Sequence, residues 1–176
     1  LPICEKVLIL GASGSLGSAA VQIAAAMGAD VTGTSSARNA DMVAALGADR
    51  VIDYGREDFT RMAQRYDVIF DTLGVSSFAR AKGSLTRAGR YVCPVLGLGL
   101  LGAMIRTAIA GTRKARFSAT GMLKPEVLRP MLGTLIDMVE DGKLAPVIDR
   151  VYPLADLIEA QRHMETGHKR GNIVVV

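Results

Sequence analysis

The stretch KVLILGASGSLGSAAVQIA, Lys6 to Ala24, places Gly11, Gly14 and Gly17 at three-residue spacing between an apolar run and an amphipathic one. A pyrophosphate sits favourably at a helix N-terminus, where unpaired backbone N–H groups and the helix dipole face the anion, provided no side chain blocks its approach. Gly11 allows a tight turn, Gly14 a close approach of backbone to phosphate, and Gly17 close packing of the helix on the preceding strand. Set between strand and helix, the motif favours a dinucleotide over a merely structural turn.

A site for NAD(H) calls for an acid at the C-terminal end of the second strand, where it hydrogen-bonds the ribose hydroxyls. Asp30 has a suitable separation from Gly11 but precedes that strand, at the wrong end of the sheet. The correct end reads Thr34, Ser35, Ser36, Ala37, Arg38. Hydroxyls and a guanidinium without a carboxylate suit a 2′-phosphate, so the expected cofactor is NADP(H). In the competing reading, Ser35 and Ser36 only form a helix-entry turn and Arg38 is solvent-exposed.

The elements that must position these residues follow from periodicity. Val7–Leu10 is all apolar, as in a strand buried on both faces. Leu16, Ala19, Ala20, Ile23, Ala24 and Met27 form a helical stripe that Gly28 ends. Strands are expected at 31–34, 51–53, 66–71, 91–95 and 117–120. Helices are expected from Asn39 as N-cap to Leu46, over 58–65, and from Ser76 or Ser77 to Leu85. This alternation indicates an α/β, doubly wound, mostly parallel sheet of the dinucleotide-binding Rossmann type. From Lys124 the pattern changes to an α+β tail. Pro125 opens a helix with apolar residues at Leu128, Met131, Leu132, Leu135, Ile136 and Val139. PVIDRVYPL, a helix from Ala155 to about Thr166 and the strand NIVVV follow.

Composition narrows the partners. Twenty-one Lys and Arg against 17 Asp and Glu leave a net charge of +4, spread without runs, so nucleic acid is not expected. The densest basic group, Arg106, Arg113, Lys114 and Arg116, reads as a solvated turn. Cys4 and Cys93 are too few for a disulfide framework or thiolate zinc site, which points to inert thiols in a reducing compartment, the cytoplasm. The longest apolar run, Tyr91–Ile105, is shorter than a membrane span and broken by Pro94 and glycines. No signal peptide is visible, and the opening at Leu1 without methionine leaves room for an upstream segment.

Several other chemistries lack their residues. The positions four after Tyr54, Tyr66, Tyr91 and Tyr152 hold Asp58, Phe70, Val95 and Asp156, so no tyrosine–lysine pair exists for short-chain dehydrogenase chemistry. There is no GxxxxGK(S/T) loop and no legible nucleophile–base–orienter triad. His163 and His168 have no third ligand nearby and read as surface residues, so no metal is expected.

The ordered set GASGSLGSAAVQIA, LGADRVIDY, YDVIFDTLG and GKLAPVIDRVYPL resembles the medium-chain dehydrogenase/reductase superfamily, in its quinone-oxidoreductase-like branch among the zinc-type alcohol dehydrogenase relatives. The resemblance covers nearly the whole chain. It implies that Ser13, Gly14, Ser15 and Leu16 underlie the pyrophosphate and that Tyr54 joins Ser35, Ser36 and Arg38 around the 2′-phosphate. Asp71, Thr72, Leu73 and Gly74 match a turn lining the cofactor, and Leu96 and Gly97 match a loop near the nicotinamide ribose. Tyr54 as a strand cap and Asp71 as a structural acceptor are the competing readings. Asn172 stands where the family usually has lysine, LPICEK replaces the usual entry to the first strand, and Gly97–Arg116 matches poorly.

The resemblance further implies that residues 1–122 form the NADP-binding domain. Residues 123–176 would then return to a preceding β-rich substrate domain that has no counterpart here. The expected function is the cofactor part of an oxidoreductase passing hydride between nicotinamide and a quinone, enone or carbonyl/alcohol substrate, with no catalytic side chain in this chain. The alternative is a dinucleotide-sensing or partner-binding module. The apolar stretch Val95–Ile105 and the tail strands suggest a homo-oligomer, a dimer.

Overall fold

The structure, a computed structural model, describes residues 4–118 and 120–176. Residues 1–3 of the opening stretch and Ala119, inside the expected sixth strand, lie outside the described residues. Six strands, β1 (Lys6–Leu10), β2 (Asp30–Ser35), β3 (Arg50–Asp53), β4 (Tyr66–Asp71), β5 (Leu85–Cys93) and β6 (Lys114–Phe117), form one parallel sheet in the order β3-β2-β1-β4-β5-β6. Helices α1 (Ser15–Ala26) and α2 (Ala40–Ala45) cover one face, and α3 (Phe78–Ala81) and α4 (Leu98–Ile109) the other.

The apolar run of β1 divides between these faces. Val7 and Ile9 pack with Val21, Val31 and Val43 beside α1 and α2, while Leu8 and Leu10 pack with Ile69, Phe78, Leu85 and Tyr91. Strand order reverses between β1 and β4, and the crevice outside the C-terminal ends of such strands is where open α/β sheets bind ligands.

The tail holds α5 (Pro125–Glu140) and a parallel pair, β7 (Ile148–Tyr152) and β8 (Asn172–Val175), joined through α6 (Leu157–Glu165). No residue of α5 is buried. Contacts from two tail segments fasten it to α1 and its entry turn. Gln22 exchanges two hydrogen bonds with the backbone of Ala145, at 2.8 and 3.0 Å, and Gly171 bridges to Gly14.

Several expectations are corrected. The helix expected over 58–65 is a single 3-10 turn at Phe59–Arg61, entered by Asp58. Strand β5 begins at Leu85, directly after the 3-10 turn that extends α3. Residues 98–109, expected only as an apolar run, form α4, which displaces β6 to begin at Lys114. The basic group is consequently no turn: Arg106 lies on α4, Lys114 and Arg116 lie in β6, and Arg113 Nε donates to the carbonyls of Leu85 and Thr86. Asn39 lies at the end of a 3-10 turn, Ala37–Asn39, and precedes α2 without a side-chain cap; its amide donates to Ser13 Oγ. Among the described residues, no helix is long and apolar enough to cross a membrane.

Candidate functional site

Each glycine of the turn meets a different constraint. Gly11 has φ +78°, and a Cβ there would lie 2.9 Å from Thr72 Oγ1. At Gly17 a Cβ would collide with the Gly11 carbonyl and lie 2.8 Å from Ala12 Cα, so close helix packing demands glycine. Gly14 differs: its φ is −81°, and its nearest such contact is the Gly11 oxygen at 3.5 Å. Neither backbone conformation nor protein packing therefore requires glycine at 14, where an added side chain would occupy the approach to the helix. Gly14 caps α1 without a side chain, and the first turn carries no acid. The N–H groups of Leu16 and Gly17 have no acceptor among the described residues, which gives the open donors of an anion site.

A cleft of about 450 Å³ runs from this turn across the ends of β1 to β4. Gly11, Thr34, Ile52, Tyr54, Leu73 and Val75 line it. Tyr54 and Leu73 are exposed on its walls, while Thr34 Oγ1 accepts the Gly11 N–H at 3.1 Å and fixes the turn on β2. Ser35 is buried with its hydroxyl donated to the Ser36 carbonyl, and Ser36 is half-buried. Arg38 is exposed, with Nη2 donating to the His168 carbonyl at 2.7 Å. The acid nearest this strand end in register is Asp53, beside Ser35, and its carboxylate accepts the Gly55 N–H and pairs with Arg56.

Asp71 faces inward. Its carboxylate, fully buried, accepts from the N–H groups of Leu73, Val75 and Ser76 and from the Tyr91 hydroxyl. It thus shapes the turn, while Thr72 Oγ1 donates to the Leu10 carbonyl at 2.7 Å and ties the turn to β1. Gly74 has φ +68° and packs on Val95. Leu96 is exposed, and Gly97 caps α4 at the neighbouring strand end. The expected residues thus gather at one edge of the sheet, with Asp71 and Ser35 turned into the protein.

The tail brings residues that the spacing did not reveal. Gly171 N–H donates to the Ser13 carbonyl, and Ser15 Oγ donates to the Gly171 carbonyl. Lys169 Nζ donates to Ser15 Oγ and, at 2.7 Å, to the Gly171 carbonyl, which sets an ammonium beside the glycine turn. Partial desolvation holds this lysine below the usual range, opposed by the charge of Asp149. Gly171 has φ +68°, and a Cβ would lie 2.6 Å from Val147 Cβ, so the loop reaches the turn only with glycine there. The pair of basic residues directly before that glycine was the available signal. Asn172 instead donates to the Val147 carbonyl and holds the tail together.

His163, expected as a surface residue, is mostly covered. Its Nδ1 lies 2.9 Å from Tyr152 Oη and its Nε2 3.2 Å from Asp149. Among the described residues, no group of three His, Cys, Asp or Glu could hold a metal ion, so the donor set does not fit zinc.

Comparison with known proteins agrees with this architecture. The family model described as zinc-binding dehydrogenase matches residues 46–175. The chain is 34% identical to mouse NAD(P)H oxidoreductase RTN4IP1, mitochondrial, over 97% of its own length and 48% of the relative's. It is 30% identical to the chloroplastic quinone-oxidoreductase QR1 of Triphysaria versicolor, over 97% and 52% of the two chains. The quinone oxidoreductase structure from Coxiella burnetii superposes with a TM-score of 0.82 at 30% identity, covering 98% of this chain and 53% of that one. The chain spans about half the length of these relatives. A family match over most of the chain, on a sheet with this strand order and glycine turn, places it in the zinc-binding dehydrogenase family of the medium-chain dehydrogenase/reductase superfamily.

Proposed function

We propose that this chain binds NADP(H) across the ends of β1 to β4 and serves as the cofactor-binding part of an NADPH-dependent oxidoreductase acting on a quinone, enone or carbonyl/alcohol substrate. The observation that carries this reading is the open start of α1, where donors without acceptors face a space that Gly14 leaves clear. Lys169 and Arg38 stand at its margin as cations. The names of the relatives, an NAD(P)H oxidoreductase and a quinone oxidoreductase, agree with it.

In this reading Ser13, Gly14, Ser15, Leu16 and Gly17 surround the pyrophosphate, the N–H groups of Leu16 and Gly17 donate to it, and Lys169 is the counter-charge. Arg38, Ser36 and Tyr54 surround the 2′-phosphate, while Ser35 positions Ser36 from within. Leu73 and Val75 close the adenine side of the cleft. Thr72, Gly74, Leu96 and Gly97 border the nicotinamide side, and Asp71 holds their turn. The cofactor supplies the hydride chemistry, and the side chains named here bind and orient it.

The substrate pocket lies outside this chain in the same proposal. Val127, Met131, Leu132, Ile136 and Val139 leave α5 with an uncovered apolar stripe, as expected of a tail completing a second domain. We infer the boundary near residue 122 on that ground. Leu98, Leu101, Ile105 and Ile109 on α4 offer an apolar face for homodimerisation. Exposed Cys4 and buried Cys93, both unpaired, suit a reducing compartment, for which we take the cytoplasm.

Paired calorimetric titrations with NADPH and NADH test the proposal. Tighter binding of NADPH, weakened by Arg38→Ala while NADH binding is unchanged, supports both the ligand and the phosphate pocket. Equal or tighter binding of NADH refutes the NADP(H) preference.

A further inference from the structure

Residues 168–171 of the tail touch the protein at both places where the cofactor reading puts phosphate. At one end, the Gly171 N–H donates to the Ser13 carbonyl at 2.8 Å, and Ser15 Oγ donates to the Gly171 carbonyl at 2.7 Å. Lys169 Nζ donates to the same serine hydroxyl. At the other end, the His168 carbonyl accepts from Arg38 Nη2 at 2.7 Å, across 130 positions of sequence. The segment is held between these ends. Gly171 has φ +68° and no room for a Cβ beside Val147. Thr166 Oγ1 accepts the His168 N–H at 3.2 Å and donates to the His163 carbonyl at 2.7 Å, which anchors the start of the segment on the end of α6.

Arg38 stands exposed on the 3-10 turn Ala37–Asn39, and the His168 carbonyl is its one side-chain acceptor among the described residues. An exposed arginine samples many rotamers, and ordering it against a ligand costs affinity. The carbonyl occupies one Nη2 hydrogen and leaves Nε and Nη1, and a phosphate accepts paired N–H bonds from such a planar fork.

We propose that the 168–171 segment is a specificity determinant, in which the His168 carbonyl is a positioning group that pre-orders Arg38 for the 2′-phosphate, so the tail sets part of the preference for NADP(H) over NAD(H). The inference rests on the NADP(H) reading above. NAD(H) lacks that phosphate and gains nothing from an ordered Arg38, whereas both dinucleotides carry the pyrophosphate placed beside Ser15 and Lys169. Whatever the segment does for the pyrophosphate cancels in the ratio of the two affinities. Its action through Arg38 remains in that ratio.

The test is calorimetric titration with NADPH and with NADH of wild type, Gly171→Ala, Thr166→Val, Arg38→Ala and the two double variants that combine Arg38→Ala with each segment substitution, with thermal melts to establish folding. Gly171→Ala displaces the segment at its fastened end. Thr166→Val, at an exposed position outside the cleft, loosens the His168 end and carries the test where Gly171→Ala does not fold. The preference for NADPH is expected to fall about three- to ten-fold in each segment variant, the scale of ordering one long side chain. Neither substitution is expected to lower it further once Arg38 is replaced by alanine. Folded segment variants that keep the wild-type preference overturn the proposal, as does a drop that persists in the Arg38→Ala background, because it does not pass through Arg38. Wild-type protein that binds NADH as tightly as NADPH, or binds neither, refutes the cofactor reading itself, and the inference with it.

Discussion

The Tyr91 hydroxyl donates to the Asp71 carboxylate across 2.7 Å, joining the C-terminal ends of β4 and β5 out of solvent. The same carboxylate organises the 72–76 turn through three N–H groups, so the pair fixes one wall of the cleft. Tyr91→Phe removes one donor to a buried charge and leaves the other three. The expected loss is about 1–3 kcal/mol, read from urea unfolding, with the cleft retained. Asp71→Ala leaves three N–H groups and a buried hydroxyl without their acceptor and is expected to cost more. An unchanged midpoint for both variants contradicts this account.

That pair also shows where sequence reading stops. Glycine spacing and the all-apolar run Val7–Leu10 made the turn and its strand legible, because each is a local requirement. Whether Asp71 points into the cleft depends on β4 and β5 pairing with Ile69 opposite Tyr91, a register that no local pattern announces. Helix α4 escaped for another reason: it buries only Ala103 and Thr107 and exposes Leu98, Leu101, Ile105 and Ile109, so its apolar residues mark no single inward stripe. Asp149, His163 and Arg170 meet, and Lys169 reaches Ser15, only after β7, α6 and β8 have folded. Their separation in sequence hid them.

Asp58 gives a pH dependence of definite sign. Hydrogen bonds from the Thr60 N–H and hydroxyl, aided by Arg80, hold its carboxyl below the ordinary value. A carboxyl depressed in the folded state stabilises the protein above its unfolded pKa and loses that contribution as the pH falls through the folded value. Asp58→Ala should therefore lower the urea midpoint at pH 7, and the gap from wild type should narrow toward pH 3. A gap that is constant with pH would exclude the ionised form as its cause.

The two thiols should differ in reactivity. Burial pushes the Cys93 thiol above its usual range, and its sulfur lies 3.4 Å from the Val95 nitrogen inside the fold. Cys4 is exposed. Because the thiolate is the reacting species, iodoacetamide at pH 8 should label Cys4 first and reach Cys93 only on unfolding. Mass spectrometry of digested protein reads both sites, and native labelling of Cys93 at the rate of Cys4 would refute its burial.

Gly14 and Gly17 separate ligand chemistry from packing within one turn. At Gly17 an added Cβ strikes the Gly11 carbonyl and Ala12, backbone that cannot yield without opening the joint between α1 and β1. Gly17→Ala is expected to destabilise the fold by at least the ~1–3 kcal/mol typical of overpacking. At Gly14 the added Cβ finds only ordinary contact at 3.5 Å, and the extended backbone there accepts alanine. Gly14→Ala should thus melt within a few degrees of wild type, yet weaken NADPH about ten-fold or more, because the methyl group stands where phosphate must approach the N–H donors. Thermal melts and calorimetric titrations on both variants distinguish the two roles. Unaltered NADPH affinity in a folded Gly14→Ala protein would place the phosphate elsewhere and leave the glycine without a ligand to explain it.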